Sequence, residues 1–206
     1  MDLILKYFPD LSSRQIQQFE TLLRILPRLN QKVNVISRKD IAFLEERHIL
    51  HSLSIAKLLR FNSGARIIDV GTGGGFPGIP LALIFPEATF TLVDSIGKKI
   101  SLVEEIVEEL ELKNVRLLHQ RMEAMNLKAD FVVSRAVTAF PKLHTWTSEL
   151  IEPGTTQSMP NGLISLKGGD LDKELMPYRK HVELLPLSSW FDESFFSSKM
   201  IVYLKK

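Results

Sequence analysis

The stretch Ile67-Ile68-Asp69-Val70-Gly71-Thr72-Gly73-Gly74-Gly75-Phe76-Pro77-Gly78, continued by Ile79-Pro80-Leu81-Ala82-Leu83-Ile84-Phe85, decides how the chain is read. A short apolar run, a cluster of glycines and a second apolar run give a strand, a tight turn and a buried helix over 76–85. Glycines at positions 71, 73 and 75 permit positive φ and let a ligand lie against the backbone. The free N–H groups of the following helix are expected to face that ligand. Twenty-five residues after Asp69 a second apolar strand, Thr89-Phe90-Thr91-Leu92-Val93, ends in Asp94, a carboxylate suited to a ribose diol. The pattern is that of a nucleoside-cofactor site.

Glycine-rich turns with a downstream acid serve both dinucleotides and S-adenosyl-L-methionine, and a lone G-x-G is weak evidence for either. Asp69 stands on the strand two residues before the first glycine, and the spacing is G-x-G-x-G rather than G-x-G-x-x-G. Both details favour S-adenosyl-L-methionine. A phosphate-binding loop would need Lys and Ser or Thr after Gly78, where Ile79 and Pro80 stand. An oxidoreductase reading would want the third glycine one residue later.

The remainder of the chain fits one cofactor-binding body. With 206 residues, 45% of them hydrophobic, it can bury one sizeable core. There is no cysteine, so disulfides and thiolate metal sites are excluded. The N-terminal residues lack a signal-peptide pattern and no apolar run approaches a membrane span, so a cytoplasmic protein without membrane association is expected. The net charge is +2, yet residues 1–60 hold 10 Lys and Arg against 6 Asp and Glu, and the rest 16 against 18. A basic N-terminal part suits a polyanion, although an ordinary solvated helix surface gives the same count.

Ser12 and Ser13 can cap a helix with Ile16, Phe19, Leu23 and Leu26 on one stripe, which Pro27 should kink or end. A second helix is expected from Asp40 towards Arg60, with Ile41, Leu44, His48 and Ser52 aligned. Residues 1–62 thus read as a helical extension and 63–206 as the cofactor-binding domain. From Ala65 onward strands (65–70, 89–93, 115–120, 131–134, 162–167) alternate with helices (76–85, 97–111, 140–151), the mark of an α/β, doubly wound, mostly parallel Rossmann-like sheet. Late strands at 181–187 and 199–205 would complete it, with an antiparallel hairpin there.

Right-handed crossovers bring the carboxyl ends of all the parallel strands to one edge. That edge would carry Gly71 and Gly73, then Asp94 and Ser95, then Arg121, Met122 and Glu123, then Ser134 and Arg135, and finally Lys167. Asp94 would hold ribose; Met122 and Glu123 could meet a base, though Met122 could equally be core. Arg121, Arg135 and Lys167 on three strand ends suggest anion contact over isolated surface pairs. On helix 97–111 the charge order opposes the macrodipole, with Lys98 and Lys99 first and Glu104, Glu105, Glu108, Glu109 and Glu111 later. This order suggests a reason outside stability, and contact of Lys98 and Lys99 with substrate phosphates is the reading it prompts.

The motif Asp69-Val70-Gly71-Thr72-Gly73-Gly74-Gly75-Phe76-Pro77-Gly78-Ile79-Pro80-Leu81 resembles the cofactor loop of the glucose-inhibited division protein B family, methyltransferases of small-subunit ribosomal RNA. The likeness continues through Leu92–Lys99, Arg121-Met122-Glu123, Ser134-Arg135-Ala136 and Leu166-Lys167-Gly168, and upstream through Asn30, Asn34 and Arg47-His48-Ile49-Leu50. It implies a class I S-adenosyl-L-methionine-dependent methyltransferase that modifies guanine N7 in 16S rRNA, free or in an assembling small subunit. It also implies cofactor contacts at Gly71, Phe76, Met122, Glu123 and Arg135. Lys98, Lys99 and Arg121 are then the expected RNA contacts, with Arg135 and Lys167 fixing guanine O6 or a phosphate. No general base and no metal are expected, and a monomer is. One departure stands out: the family usually has Asp after His-Ile-Leu, where this chain has His51.

Overall fold

The computed structural model describes residues 1–155 and 157–206. Seven strands form one sheet: β1 (Arg66–Val70), β2 (Thr89–Asp94), β3 (Val115–His119), β4 (Phe131–Arg135), β5 (Gly162–Gly168), β6 (Val182–Pro186) and β7 (Lys199–Lys205). Their order is β3-β2-β1-β4-β5-β7-β6. The first five run parallel, and β7 lies antiparallel between β5 and β6. The strand order reverses between β1 and β4, so the carboxyl ends of these two strands flank the crevice where doubly wound folds bind ligands. The central strands β1 and β4 are buried on both faces and largely apolar, whereas β3 and β6 at the edges are only half buried.

Alternation along the strands divides the core in two. Ile67, Phe90, Phe131, Val133, Ile164, Ile201 and Tyr203 point to one side, and Ile68, Val70, Val132, Leu163, Val202 and Leu204 to the other. The first side is covered by α2 (Ser13–Asn30), α3 (His51–Leu58), α4 (Gly78–Ile84) and α5 (Gly97–Glu109), with the short α1 (Asp2–Tyr7) behind them. The second is covered by α6 (Phe140–Thr147) and α7 (Asp172–Leu175). The N-terminal helices therefore share one hydrophobic cluster with the sheet.

Two expectations about helices are corrected and one, that Pro27 kinks or ends its helix, loses its second alternative. Ser12 caps α2 in a capping box with Gln15, but the helix runs through Pro27 to Asn30. Pro27 removes one backbone bond near the end of the helix, while Leu29 is buried and Asn30 is fixed by bonds to the backbone of Val35 and Ile36. The segment read as a single helix from Asp40 is a 3-10 turn (Ile41–Phe43), a π-helical stretch (Leu44–Leu50) and then α3. Leu44 and Ser52 of the expected stripe are buried, but so are Ile49, Leu50, His51, Leu53, Ser54 and Ile55, so this segment is enclosed on more than one face. Lastly, α6 stops at Thr147 and gives way to a 3-10 turn, Ser148–Leu150.

Some of the glutamates in the inverted charge order of α5 find partners within the fold. Across the α2–α5 contact Arg28 pairs with Glu109 at 2.9 Å, Lys32 with Glu105 at 2.7 Å and Arg14 with Glu111 at 4.0 Å. All three pairs are exposed, so each contributes at most about 1 kcal/mol, beside the apolar contact of Leu22, Leu26 and Leu29 with Leu102, Val103 and Ile106 in the shared core.

Candidate active site

The glycine loop closes on a buried acid. Asp69 Oδ2 accepts hydrogen bonds from Thr72 Oγ1 at 2.7 Å and from the Gly78 backbone N–H at 2.8 Å, joining the two ends of the loop. Burial pushes this carboxyl up to about 7, while Thr72, the Gly78 N–H and Arg135 oppose the rise. The first N–H groups of α4 were expected to face a ligand; instead Gly78 N–H serves Asp69, and Ile79 N–H donates to Gly75 O. Gly71 has φ +65°, and a Cβ there would lie 2.7 Å from Val137 Cγ2, so the loop can approach the end of β4 only as glycine.

A cleft of about 420 Å³ opens at the carboxyl edge beside this loop, lined by Gly71, Asp94, Ile96, Arg121, Met122 and Trp146 among others. Asp94 is buried; its Oδ2 accepts from Gly73 N–H at 3.0 Å and its Oδ1 from Ile96 N–H at 2.9 Å. Each oxygen retains a lone pair for a further donor, as a ribose diol requires. Ile96 is 48% exposed, an apolar side chain left at the mouth. Ser95 and Glu123 line the same cleft, and Lys99 reaches to 3.7 Å from Asp94. Met122 both lines it and packs on the core. A somewhat larger cavity, about 480 Å³, lies at the amino edge between the start of α2 and residues 111–114, away from the glycine loop.

Arg135 closes the other side of the loop. Its Nη1 donates to Arg47 O at 3.2 Å, its Nη2 bonds His48 Nδ1 at 3.0 Å, and the guanidinium stands 4.9 Å from the centroid of Phe76. Ala136, the next residue, has φ +52°, a conformation that non-glycine residues seldom adopt and that turns the chain sharply at the strand end. Phe76 is buried beneath this arginine and against His48, so it supports the cleft without lining it.

Comparison with known proteins agrees with this geometry. The sequence pattern of the family described as GidB, rRNA small subunit methyltransferase G, matches residues 15–189. The chain belongs to that family. It is 50% identical over 203 residues to Ribosomal RNA small subunit methyltransferase G of Bacteroides thetaiotaomicron, covering 98% of both chains. It is also 50% identical to the protein of the same name from Christiangramia forsetii, covering 99% of this chain and 96% of that one. Among solved structures, a SAM-dependent O-methyltransferase from Thermotoga maritima superposes with a TM-score of 0.58 at 16% identity, covering 81% of this chain and 69% of that one. A SAM-dependent methyltransferase from Aquifex aeolicus gives 0.56 at 17%, covering 82% and 98%. At such identities the shared property is the fold.

Not every residue singled out in this GidB-family chain reaches the cleft. Lys167 Nζ donates to Thr138 O at 2.7 Å and pairs with Glu174 at 2.6 Å, and Glu174 also accepts from Phe140 N–H. Lys167 therefore anchors the turn into α6 and is nearly buried in doing so. Lys98 projects into a groove beside Leu29 and Lys32, between α2 and α5. Conversely, Lys142 and Trp146 of α6 line the cleft, with the ammonium 4.6 Å from the indole centroid. Their spacing of four on a helix starting just beyond β4 was the available signal.

His48 and His51 are packed by rings and by charge. His51 lies edge-on to Phe195 and Phe196, with Nε2 buried and without a hydrogen-bond partner among the described residues. Burial, reinforced by Arg135, pushes His48 down to about 3 and His51 well below its ordinary 6.5. Lowered histidines contribute stability that is full above pH 6.5 and lost as pH falls; Asp69, raised, contributes stability that is full below 3.8 and lost as pH rises through about 7. The urea midpoint is thus expected to fall on acidification below pH 6.5, less steeply in His51→Leu and more steeply in Asp69→Asn. A flat midpoint in the unsubstituted protein would remove this account.

Proposed function

We propose that this protein transfers the methyl group of S-adenosyl-L-methionine to N7 of a guanine in 16S rRNA, acting as a cytoplasmic monomer. The observation that carries the reading is the cleft at the β1–β4 switch point, with Asp94 held at its edge by two backbone donors, in a chain of this family. The residues present fit a nucleoside: a buried carboxylate with free lone pairs for the diol, Ile96 and Met122 as apolar flanks for a base, and Glu123 and backbone groups for its polar rim. When bound, S-adenosyl-L-methionine supplies a sulfonium methyl as electrophile.

Guanine N7 carries an in-plane lone pair and no proton, so forming the new N–C bond asks no side chain to act as general base. The protein's task is alignment and exclusion of water. Asp94 fixes the ribose. Arg135 and Lys167 act as positioning residues, Arg135 by holding the Arg47 carbonyl and the His48 imidazole to the end of β4, and Lys167 by holding Thr138 and the start of α6. Arg121, Lys99 and Lys142, which line the rim, supply positive charge for phosphates. The target guanine must be unpaired or extruded to present N7 at the bottom of such a cleft.

The reading is tested by incubating small subunits or 16S rRNA from a strain lacking this protein with S-adenosyl-L-methionine labelled in the methyl group. Label recovered as 7-methylguanosine is expected; intact cofactor binding with no label in either substrate would overturn it. Because Trp146 lines the cleft and Trp190 packs elsewhere on the core, S-adenosylhomocysteine should quench tryptophan emission. That change should disappear in Trp146→Phe and persist in Trp190→Phe.

A further inference from the structure

The carboxyl edge continues past the cofactor cleft towards β5 and β7, and there the surface changes character. The Arg47 guanidinium lies 3.8 Å from the centroid of Phe43 and 5.6 Å from that of Phe195, and Lys199 Nζ lies 4.8 Å from the centroid of Phe195. Rings and cations alternate through the cluster. Phe43 is 44% exposed although it is a large apolar ring, one face backed by Arg47. Arg38 and Lys39 are exposed in the turn just before it. Among the described residues Arg47 pairs with Asp40 at 2.9 Å, while Arg38, Lys39 and Lys199 form no ion pair. Of the four cations in the cluster and the turn beside it, only Arg47 is paired among the described residues.

The cluster is tied to the strand ends that frame the cleft. Lys199 opens β7 opposite Gly168, the last residue of β5. Arg47 O and His48 are gripped by Arg135 at the end of β4. With the cofactor held by Asp94 on the β2 side of the switch point, as the proposed function has it, the β4 side is left for a methyl acceptor, and Arg135 ties this cluster to the end of β4.

We propose that Phe43, Arg47, Phe195 and Lys199 form the docking face for single-stranded RNA flanking the target guanine, a proposal that rests on the function given above. One unstacked base lies on the outer face of Phe43, completing a base–ring–guanidinium stack, and the neighbouring phosphates meet Lys199, Arg38 and Lys39. A paired base offers no free face to such a ring, so the surface selects unpaired strand over duplex. It separates substrate docking from cofactor binding on one sheet edge.

The test is fluorescence anisotropy of the full chain, saturated with S-adenosylhomocysteine, with a labelled single-stranded RNA of roughly 12 nucleotides, a length suited to one such surface. Its duplex form and poly-glutamate serve as competitors. Phe43→Ala combined with Lys199→Gln is expected to weaken single-strand binding about tenfold, to lower the salt slope by about 0.7, and to leave S-adenosylhomocysteine affinity unchanged. Phe43→Trp should retain binding, and Lys113→Gln at the amino edge should change nothing. Wild-type affinity in the double variant, in a protein that methylates 16S rRNA, would overturn the docking face alone. Duplex or poly-glutamate competing as well as the single strand would make this a general anion surface and also overturn it. A wild-type protein that neither binds the oligonucleotide nor labels small-subunit RNA would take the functional reading down with it.

Discussion

Asp94→Ala is expected to raise the dissociation constant for S-adenosylhomocysteine about 100-fold, close to 3 kcal/mol, when measured by isothermal titration calorimetry. Two losses combine in that figure. The carboxylate is the acceptor suited to a ribose diol, and charge-assisted hydrogen bonds of this kind contribute roughly 1.5–3 kcal/mol. It also holds Gly73 N–H and Ile96 N–H, so its removal frees the glycine loop and the β2 turn to move apart before binding. Asp94→Asn separates the two. An amide oxygen still accepts from one backbone N–H but cannot serve both donors, so an intermediate affinity is expected. Unfolding by urea should shift only modestly in either variant, because the site lies at the rim of the core. An alanine variant that binds as tightly as the parent would remove Asp94 from the cofactor site.

Asp94 could be found in the sequence because its meaning is local: an apolar strand that ends in an acid at fixed distance from a glycine turn. The same holds for Gly71 and for the alternation that assigns Ile67 and Ile68 to opposite faces of the sheet. What escaped the sequence were relations between distant segments. Lys167 reads as a free cation on a strand end, and only the fold brings Glu174 and Thr138 to its ammonium. The glutamates of α5 read as misplaced charges until Arg28 and Lys32 of α2 are set opposite them. Phe76 sits in the most legible stretch of all, yet its side chain turns inward under Arg135. A strand-end position tells where a backbone arrives, and the partner that meets the side chain is set by packing.

Arg135 concentrates several such relations in one side chain. Arg135→Ala is expected to cost about 2–3 kcal/mol of unfolding free energy, read from urea denaturation, because two half-buried acceptors lose their donor together. Arg47 O and His48 Nδ1 would remain half-buried without the guanidinium, and Phe76 would lose the group stacked on it. Burial pushes the guanidinium down only to about 10, so it stays charged at neutral pH and no compensating deprotonation softens the change. Lysine at 135 can reach one acceptor with a single ammonium but cannot span both, and should recover less than half of the loss. The functional signature should differ from that of Asp94. Release of the π-helical stretch from the end of β4 displaces the acceptor side of the cleft, while Asp94, Gly73 and Ile96 keep their bonds. Methyl transfer at saturating cofactor is therefore expected to fall far more than S-adenosylhomocysteine affinity. Equal losses in both would mean that Arg135 acts directly on the cofactor, and an unchanged urea midpoint would mean that the N-terminal helices are held to the sheet without it.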